Sequence, residues 1–295
     1  MARASKQPAQ GASNLATPAK QDGVKGITYL SALRQKQYGP MLFVDLYSGS
    51  GVNEVGGTDI NGTPLSILHG IHDAIRSSKT EVCGMACIFS DIAPERATVL
   101  LPERVEDFQQ KLGLEVNRNE LVVETRKGQV VRVPIFYRQS SALEMAQFIH
   151  QYAIQHPRIR VLVGIDPNGP KDAPWPELGL LMQSVGSRVD LYVHLAATAM
   201  KRVSGARAAT GMQFAPMPDH ISHAIQFIMA GDGAGWIREP IGADQWTLML
   251  LTRNPPKHGW ASQGYHLINS PEGREVIQRM SMTKKELASI KEVAK

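Results

Sequence analysis

The residues best suited to carrying chemistry lie in a short segment with two glycines, Asp45-Leu46-Tyr47-Ser48-Gly49-Ser50-Gly51. The segment begins at the end of an apolar run, Met41 to Leu46. A run of this kind is typical of a strand that is buried on both faces of a parallel sheet. In open α/β sheets, ligands bind in the crevice beyond the carboxyl ends of the strands, and glycines there let the backbone approach a ligand closely. The segment therefore predicts a ligand-binding loop.

The spacing within this loop narrows the kind of ligand that it takes. Glu54 stands where a dinucleotide-binding loop has its third glycine, which counts against NAD, and the chain contains no P-loop pattern. The carboxylate of Asp45 precedes the first glycine by four residues and suits a cationic part of a ligand better than a phosphate. A sulfonium compound with an amino-acid tail meets that description.

Two further predicted strands end in polar residues. Asp91 follows the run Val82 to Phe89, where it can accept hydrogen bonds from ribose hydroxyls or serve only as a turn residue. Asp166-Pro167-Asn168 follows the run Arg160 to Ile165. Acceptors here can hold the N–H bonds of an amine and aim its lone pair at a methyl group, although the same residues also suit a simple turn. We favour the functional interpretation because this turn coincides with the edge of the crevice.

Basic residues are concentrated at the two ends of the chain. Residues 1–25 carry a net charge of +3 and residues 281–295 carry +2, out of +5 for the whole chain, so the body between them is neutral. Basic ends of this kind attract phosphate groups without reading sequence, or are simply solvated. Two basic loops supply candidate nucleic-acid contacts that are equally well interpreted as solvated loops: Lys201, Arg202, Arg207, Arg253 and Lys257.

Several other chemistries are disfavoured. Cys83 and Cys87 lie in or beside a predicted buried strand, so we expect both to be buried, inert thiols. The nine histidines show no zinc-binding spacing, so no metal is expected, and the nucleophile-elbow pattern of hydrolases does not occur. No apolar run approaches the roughly 18 residues of a membrane span. With only two cysteines, the expectation is a reduced, soluble, cytoplasmic protein without a membrane partner.

The elements that must position these residues alternate along the chain. Strands are predicted at 41–46, 82–89, 131–137, 160–165, 189–195, 245–252 and 265–268, and helices at 27–38, 64–77, 141–156, 178–187 and 218–230. This alternation predicts a doubly wound, mostly parallel seven-stranded sheet in a single α/β domain. The stretch 120–133, with Arg126-Lys127-Gly128 at its centre, predicts a hairpin. This hairpin would either extend the sheet or contact a second copy of the protein in a dimer. The domain is expected over residues 27–280, between a disordered basic tail (1–26) and a basic C-terminal segment (281–295).

These motifs resemble a known class of enzyme. Phe43-Val44-Asp45-Leu46-Tyr47-Ser48-Gly49-Ser50-Gly51 resembles the first motif of class I S-adenosylmethionine-dependent methyltransferases. Gly62-Thr63-Pro64-Leu65 and Ile165-Asp166-Pro167-Asn168-Gly169 resemble the Gly-Ser-Pro-Leu and Ile-Asp-Pro-aromatic-Gly motifs of one family, the three-Cys-motif partner proteins. The segments 248–254 and 270–273 are similar to its closing strands. The similarity extends over residues 28 to 280 through short motifs.

The resemblance implies a Rossmann-like class I methyltransferase fold that binds S-adenosylmethionine. By match with the motifs, the cofactor pocket would be lined by Asp45, Tyr47, Ser48, Gly49 and Gly51. Asp91 would lie near the ribose and Gln139 or Ser140 near the adenine, while Asp166, Pro167 and Asn168 would occupy the position of the target amine. Enzymes that methylate DNA amino groups carry a proline and an aromatic residue where this chain has Asn168 and Gly169. Ser50 likewise replaces a proline of the family.

The leading hypothesis is an S-adenosylmethionine-dependent methyltransferase that acts on nucleic acid, with DNA favoured, in the setting of a mobile or defence element. One alternative is a methyltransferase for a protein or small molecule, because the body of the chain is neutral. Another is a methyltransferase fold without catalysis that works as a binding or regulatory protein, for which the altered Asp-Pro-Asn-Gly motif is the best support. A homodimer or a partner protein is compatible with each.

Overall fold

The computed structural model describes residues 17–55, 57–166, 173–196, 234–238, 246–252 and 264–281. The helices are α1 (Thr17–Tyr38), α2 (Thr63–Ser77), α3 (Leu101–Lys111), α4 (Ala142–Gln155), α5 (Trp175–Val185) and α6 (Pro271–Ser281). The strands are β1 (Met41–Asp45), β2 (Val52–Val55), β3 (Thr58–Asn61), β4 (Met85–Asp91), β5 (Glu120–Glu124), β6 (Val130–Gln139), β7 (Arg160–Ile165), β8 (Val189–Ala196), β9 (Ala234–Arg238), β10 (Trp246–Thr252) and β11 (Tyr265–Leu267). None of these helices is long and apolar enough to cross a membrane.

Nine of the strands form one sheet in the order β11-β9-β10-β8-β7-β1-β4-β6-β5, and β2 and β3 form a separate hairpin. Strands β6, β4, β1, β7 and β8 are mutually parallel, whereas β10 runs antiparallel to both β8 and β9. The chain proceeds from β1 to β4 and β6 on one side, then returns to β7 and β8 on the other. This reversal makes the sheet doubly wound, with its switch point at β1 and β7, so the expected α/β fold class is confirmed.

The expected number of seven strands is corrected to nine in the described part of the chain. Strand β5 joins the sheet through the hairpin that was predicted over residues 120–133, and it pairs antiparallel with β6. Strand β9 was not predicted, because the sequence Ala-Gly-Trp-Ile-Arg is short and begins with two small residues. The helix predicted over residues 218–230 lies outside the described residues.

Helices cover both faces of the sheet because alternate strand residues point in opposite directions. Val44, Val163 and Leu191 belong to one apolar cluster together with side chains of α4, α5 and α6. Phe43 and Leu162 belong to a second cluster, which α1, α2 and α3 cover. Helix α4 begins where expected, since the Ser141 side chain caps the Glu144 amide while the Glu144 carboxylate accepts from the Ser141 amide.

Helix α1 begins at Thr17 rather than at residue 27, so the expected disordered tail of residues 1–26 is corrected over its last ten positions. The cause is burial against the sheet. Val24 is buried, and a Cβ atom at Gly23 would lie 2.5 Å from both Leu248 Cδ1 and Arg238 Nη1, so the glycine lets the helix lie close to the sheet without displacing these side chains. Tertiary packing therefore orders a segment whose composition indicated a solvated end.

Candidate functional site

The site lies at the switch point of the sheet, where β1 and β7 end side by side. Gly49 and Gly51 have φ values of 58° and 83°, a left-handed conformation that favours glycine. The amide of Leu46 donates to the carbonyl oxygen of Gly164 at 3.1 Å, which ties the start of the loop to β7. The loop therefore turns sharply at the carboxyl ends of β1 and β7, as its glycines predicted.

One side of the loop is held by four residues that we call the serine corner: Ser48, Ser90, Asp91 and Ser140. The amide of Ser48 donates to the Ser90 carbonyl and the amide of Ser90 donates to the Ser48 hydroxyl, both at 2.9 Å. The hydroxyls of Ser90 and Ser140 are 2.9 Å apart, which links β4 to the end of β6. The serine corner fastens the loop to β4 and β6 by hydrogen bonds.

Asp91 is largely committed to the backbone in the serine corner. Its Oδ2 accepts from the Gly49 amide at 3.0 Å and its Oδ1 accepts from the Ala93 amide at 2.8 Å. The turn interpretation of Asp91 is therefore correct, and it also holds the glycine loop. Its assignment to a ribose stays a prediction, as does the placing of Gln139 near an adenine. Gln139 is exposed in register with Asp91 on the neighbouring strand.

The other side of the loop is lined by five ionisable residues that we call the ionic corner: Lys20, Asp45, Asp166, Tyr192 and His194. Asp45 is fully buried at the end of β1, and its Oδ1 accepts from the Tyr47 amide at 3.0 Å. Its Oδ2 is also buried but has no hydrogen-bond partner among the described residues. Burial raises the pKa of Asp45 from its ordinary value to about 7.

Asp166, at the end of the adjacent strand, has donors on both carboxylate oxygens. Lys20 Nζ lies 2.5 Å from Oδ2, and His194 Nδ1 lies 2.6 Å from Oδ1. Burial by itself raises the pKa of Asp166, but the Lys20 ammonium and then His194 outweigh burial and hold it well below its usual range. Burial and the Lys20 charge lower the pKa of His194, so its ring is neutral near pH 7 and Nδ1 carries the donated proton.

The structure thus brings together, at the carboxyl ends of neighbouring strands, Asp45, Tyr47, Ser48, Gly49, Gly51, Asp91 and Ser140, with Asp166 beside them. Pro167, Asn168 and the basic residues Lys201, Arg202, Arg207, Arg253 and Lys257 lie outside the described residues, so their assignments stay predictions. Lys20, Tyr192 and His194 were missed. Lys20 belonged to the expected tail, and the other two lie inside a predicted strand, so only their placement on the face of Asp45 could have marked them.

The two cysteines differ in exposure. Cys87 is buried in β4, and burial raises its pKa, so this thiol stays protonated. Cys83 is exposed, which corrects the expectation of a buried thiol, because β4 begins only at Met85. Within the described ranges, no three His, Cys, Asp or Glu side chains are grouped so that they could hold a metal ion.

No protein-family model matches the chain, and no curated protein matches it at a significant level. Similar solved structures include protein LPL1258 from Legionella pneumophila, with 10% identity, a TM-score of 0.45 and coverage of 82% of this chain and 88% of that one. A DUF574 family protein from Streptomyces avermitilis has 10% identity, a TM-score of 0.40 and coverages of 81% and 86%. Trm1 from Pyrococcus horikoshii, solved with S-adenosyl-L-methionine, has 10% identity, a TM-score of 0.41 and coverages of 88% and 70%. Membership of the three-Cys-motif partner family stays a prediction.

Proposed function

We propose that this protein is an S-adenosylmethionine-dependent methyltransferase that acts on nucleic acid, with DNA as the first substrate to examine. The observation that carries the proposal is the Asp45 carboxyl. It is fully buried at the switch point of a doubly wound sheet, next to the glycine loop, and one of its oxygens has no partner among the described residues. A buried carboxylate oxygen without a hydrogen-bond partner costs free energy, and a bound ligand that donates to it removes that cost.

The chemistry of Asp45 fits a cation. A bound cation favours the ionised carboxylate and repays part of the cost of burying it, because opposite charges attract strongly away from water. A phosphate would add a second negative charge beside Asp45 and Asp166, so a nucleotide phosphate is disfavoured at this position. S-adenosylmethionine carries an ammonium group and a sulfonium centre, and when bound it supplies the methyl group that is transferred.

Asp166 is the residue that we propose holds the target amine. It is ionised, and each of its oxygens accepts one donor, from Lys20 or His194. A carboxylate has about four lone-pair positions, so about two stay able to accept an N–H of an incoming amine. The two existing hydrogen bonds fix the carboxylate, and such positioning of reacting groups contributes several kcal/mol to a transfer reaction.

The nucleic-acid substrate is proposed from charge. The chain has a net charge of +5, and both of its ends are basic. We propose that Lys201, Arg202, Arg207, Arg253 and Lys257 contact phosphates, in which case affinity for DNA falls steeply with added salt. Replacing Lys201 and Lys257 by glutamine is expected to weaken DNA binding and flatten its salt dependence. An unchanged salt dependence would contradict this part of the proposal.

The cofactor is tested by calorimetric titration with S-adenosylmethionine. We expect saturable binding by the natural protein and a loss of about tenfold or more in affinity for Asp45→Asn, which removes the charge and keeps the shape. Asp190→Asn is the matched control, because Asp190 is also buried in a strand but is in register with Leu162 and Phe43, two residues before the level of Gly164 and Asp45. Failure of the natural protein to bind at millimolar ligand would overturn the proposal.

A second candidate function is binding of the cofactor without transfer, and the observation that favours it is the engagement of both Asp166 oxygens by Lys20 and His194. Incubation with S-adenosylmethionine labelled in its methyl group separates the two. We expect label in DNA, and loss of that label without loss of cofactor affinity in Asp166→Asn. Cofactor binding with no label in DNA, RNA or cell-extract protein would favour the second candidate.

A further inference from the structure

Tyr192 has a buried hydroxyl that the proposed transfer reaction does not use. It lies on β8, 1% exposed, and its Oη has no hydrogen-bond partner among the described residues. Burial raises the pKa of Tyr192 well above its ordinary value, and the charges of Asp45 and Asp166 raise it further, so the hydroxyl keeps its proton. The group is therefore a hydrogen-bond donor held where water does not reach it.

The Tyr192 side chain extends from β8 towards β1 over the intervening strand β7, where Gly164 has no side chain to block it. Gly164 on β7 is in register with Asp45 on one side and with Tyr192 on the other, so the three residues share one face of the sheet. A Cβ atom at Gly164 would lie 2.2 Å from Tyr192 Oη and 2.4 Å from its Cζ. The phenol thus lies over Gly164 on β7. The neighbouring strand β1, which carries Asp45, is about one strand spacing (~4.8 Å) away.

Asp45 Oδ2 and Tyr192 Oη, neither of which has a hydrogen-bond partner among the described residues, have complementary roles. Asp45 offers an acceptor oxygen, and Tyr192 offers a donor hydrogen beside it. The amino-acid end of S-adenosylmethionine needs one of each, because its ammonium group donates and its carboxylate accepts. Lys20, whose ammonium lies at Asp166, adds positive charge to the same face and offsets part of the repulsion between a ligand carboxylate and Asp166.

We propose that Tyr192 is a cofactor-binding residue whose hydroxyl donates to the carboxylate of the amino-acid end, while Asp45 accepts from its ammonium group. This inference rests on the proposed function and deepens it. It assigns the recognition of the amino-acid end to β1 and β8 together, across Gly164, and it explains why position 164 holds a glycine inside a strand.

The test compares three ligands on Tyr192→Phe: S-adenosylmethionine, decarboxylated S-adenosylmethionine and 5′-methylthioadenosine, which lacks the amino-acid end. We expect the variant to lose about tenfold or more in affinity for S-adenosylmethionine, because a hydrogen bond to a charged group is removed. Affinity for the other two ligands should stay within about twofold, since neither has the carboxylate. Asp45→Asn should in addition weaken the decarboxylated ligand, which keeps the ammonium group.

Two controls separate binding from structure. Tyr265→Phe removes a hydroxyl from a buried tyrosine on the distant edge strand β11 and should leave all three affinities unchanged. Thermal unfolding of the ligand-free Tyr192→Phe protein should show no loss of stability, because its hydroxyl has no partner in the described structure.

Three results would overturn the inference. They are natural affinity of Tyr192→Phe for S-adenosylmethionine, equal weakening of all three ligands, or a marked fall in the unfolding temperature of the ligand-free variant. Failure of the proposed function has a different signature, because the natural protein would then bind none of the three ligands.

Discussion

The two sides of the glycine loop use buried polar residues in opposite ways. In the serine corner, Asp91 and Ser48 are hydrogen-bonded to backbone groups at 2.8 to 3.2 Å, and most of the network is backbone and hydroxyl. In the ionic corner, Asp45 and Tyr192 are as deeply buried, yet each keeps a polar atom without a partner in the described structure.

This difference separates a side whose polar groups are satisfied within the fold from the side that we propose receives the ligand. A fully satisfied buried network stabilises a unique arrangement, whereas an unsatisfied buried group costs stability until something binds it. The hydrogen bonds of the serine corner therefore stabilise the fold. In the ionic corner, the unsatisfied groups lower the stability of the ligand-free protein, and a bound ligand would restore it. Each prediction below tests one half of this contrast.

The largest expected effect is the pH dependence of stability caused by Asp45. Its pKa is about 7 in the folded protein and 3.8 ordinarily, so the folded state binds the extra proton between these values and stability falls as pH rises through them. Asp45→Asn removes this decline. Relative to the natural protein, the variant should gain up to about 4 kcal/mol between pH 4 and pH 8, measured by urea unfolding.

Parallel stability curves for the two proteins would contradict this prediction. Asp166 does not contribute to the pH dependence of stability between pH 4 and pH 8, because its pKa lies below the usual range. The stability that Asp166 contributes is present above about pH 4 and is lost only as the pH falls below that value.

In the serine corner we expect Asp91→Ala to destabilise the protein by about 3 kcal/mol at pH 8. The substitution leaves the amides of Gly49 and Ala93 without their acceptor, and hydrogen bonds to charged groups contribute about 1.5 to 3 kcal/mol each. Urea unfolding at pH 8 measures the effect. The contrast would fail if Asp91→Ala were as stable as Asp45→Asn there.

Within the ionic corner, Lys20→Met should cost about 2 kcal/mol, because it removes the positive charge beside the partly buried Asp166 carboxylate and leaves only the hydrogen bond from the neutral His194 ring among the described contacts. The matched control is Lys25→Met on the same helix. Lys25 pairs with Asp73 at 2.7 Å but is about one-third exposed, so its loss should cost about 0.5 kcal/mol.

A second readout distinguishes the Lys20 interaction from general loss of packing. Because the Lys20 charge helps to lower the pKa of His194, titration of the His194 ring by NMR should show a higher pKa in Lys20→Met. Lys25→Met should leave that ring unchanged. A His194 pKa that is the same in all three proteins would show that the Lys20 charge does not act on the His194 ring.

The smallest effect is expected for the hydroxyl pair of the serine corner. Ser140→Ala removes the 2.9 Å contact with Ser90 and should cost about 1 kcal/mol. Ser90→Ala combined with Ser140→Ala should cost less than the sum of the single changes, since both remove the same hydrogen bond. Strict additivity in this double-mutant cycle would show that the hydroxyls do not interact.

The fold was largely predictable because its signals are local. Unalternating apolar runs located β1, β7 and β8 to within one residue at each end, and the helix predicted over residues 141–156 begins within one residue of the start of α4. The site was predictable to the extent that it follows from strand ends, since parallel strands bring Asp45, Asp91 and Asp166 to one edge. Lys20 was misplaced because a basic, alanine-rich segment has no local signal of burial.

What the sequence determined by itself is the order of the elements, the sharp glycine loop and the set of acidic residues at the strand ends, because these depend on neighbours in the chain. Only the tertiary structure decided what each acid does. Asp91 accepts from backbone amides, Asp166 accepts from Lys20 and His194, and Asp45 has one oxygen without a partner among the described residues, on the same face as Tyr192 across Gly164. Hydrogen-bond satisfaction depends on groups far apart in sequence, so no local pattern could assign it.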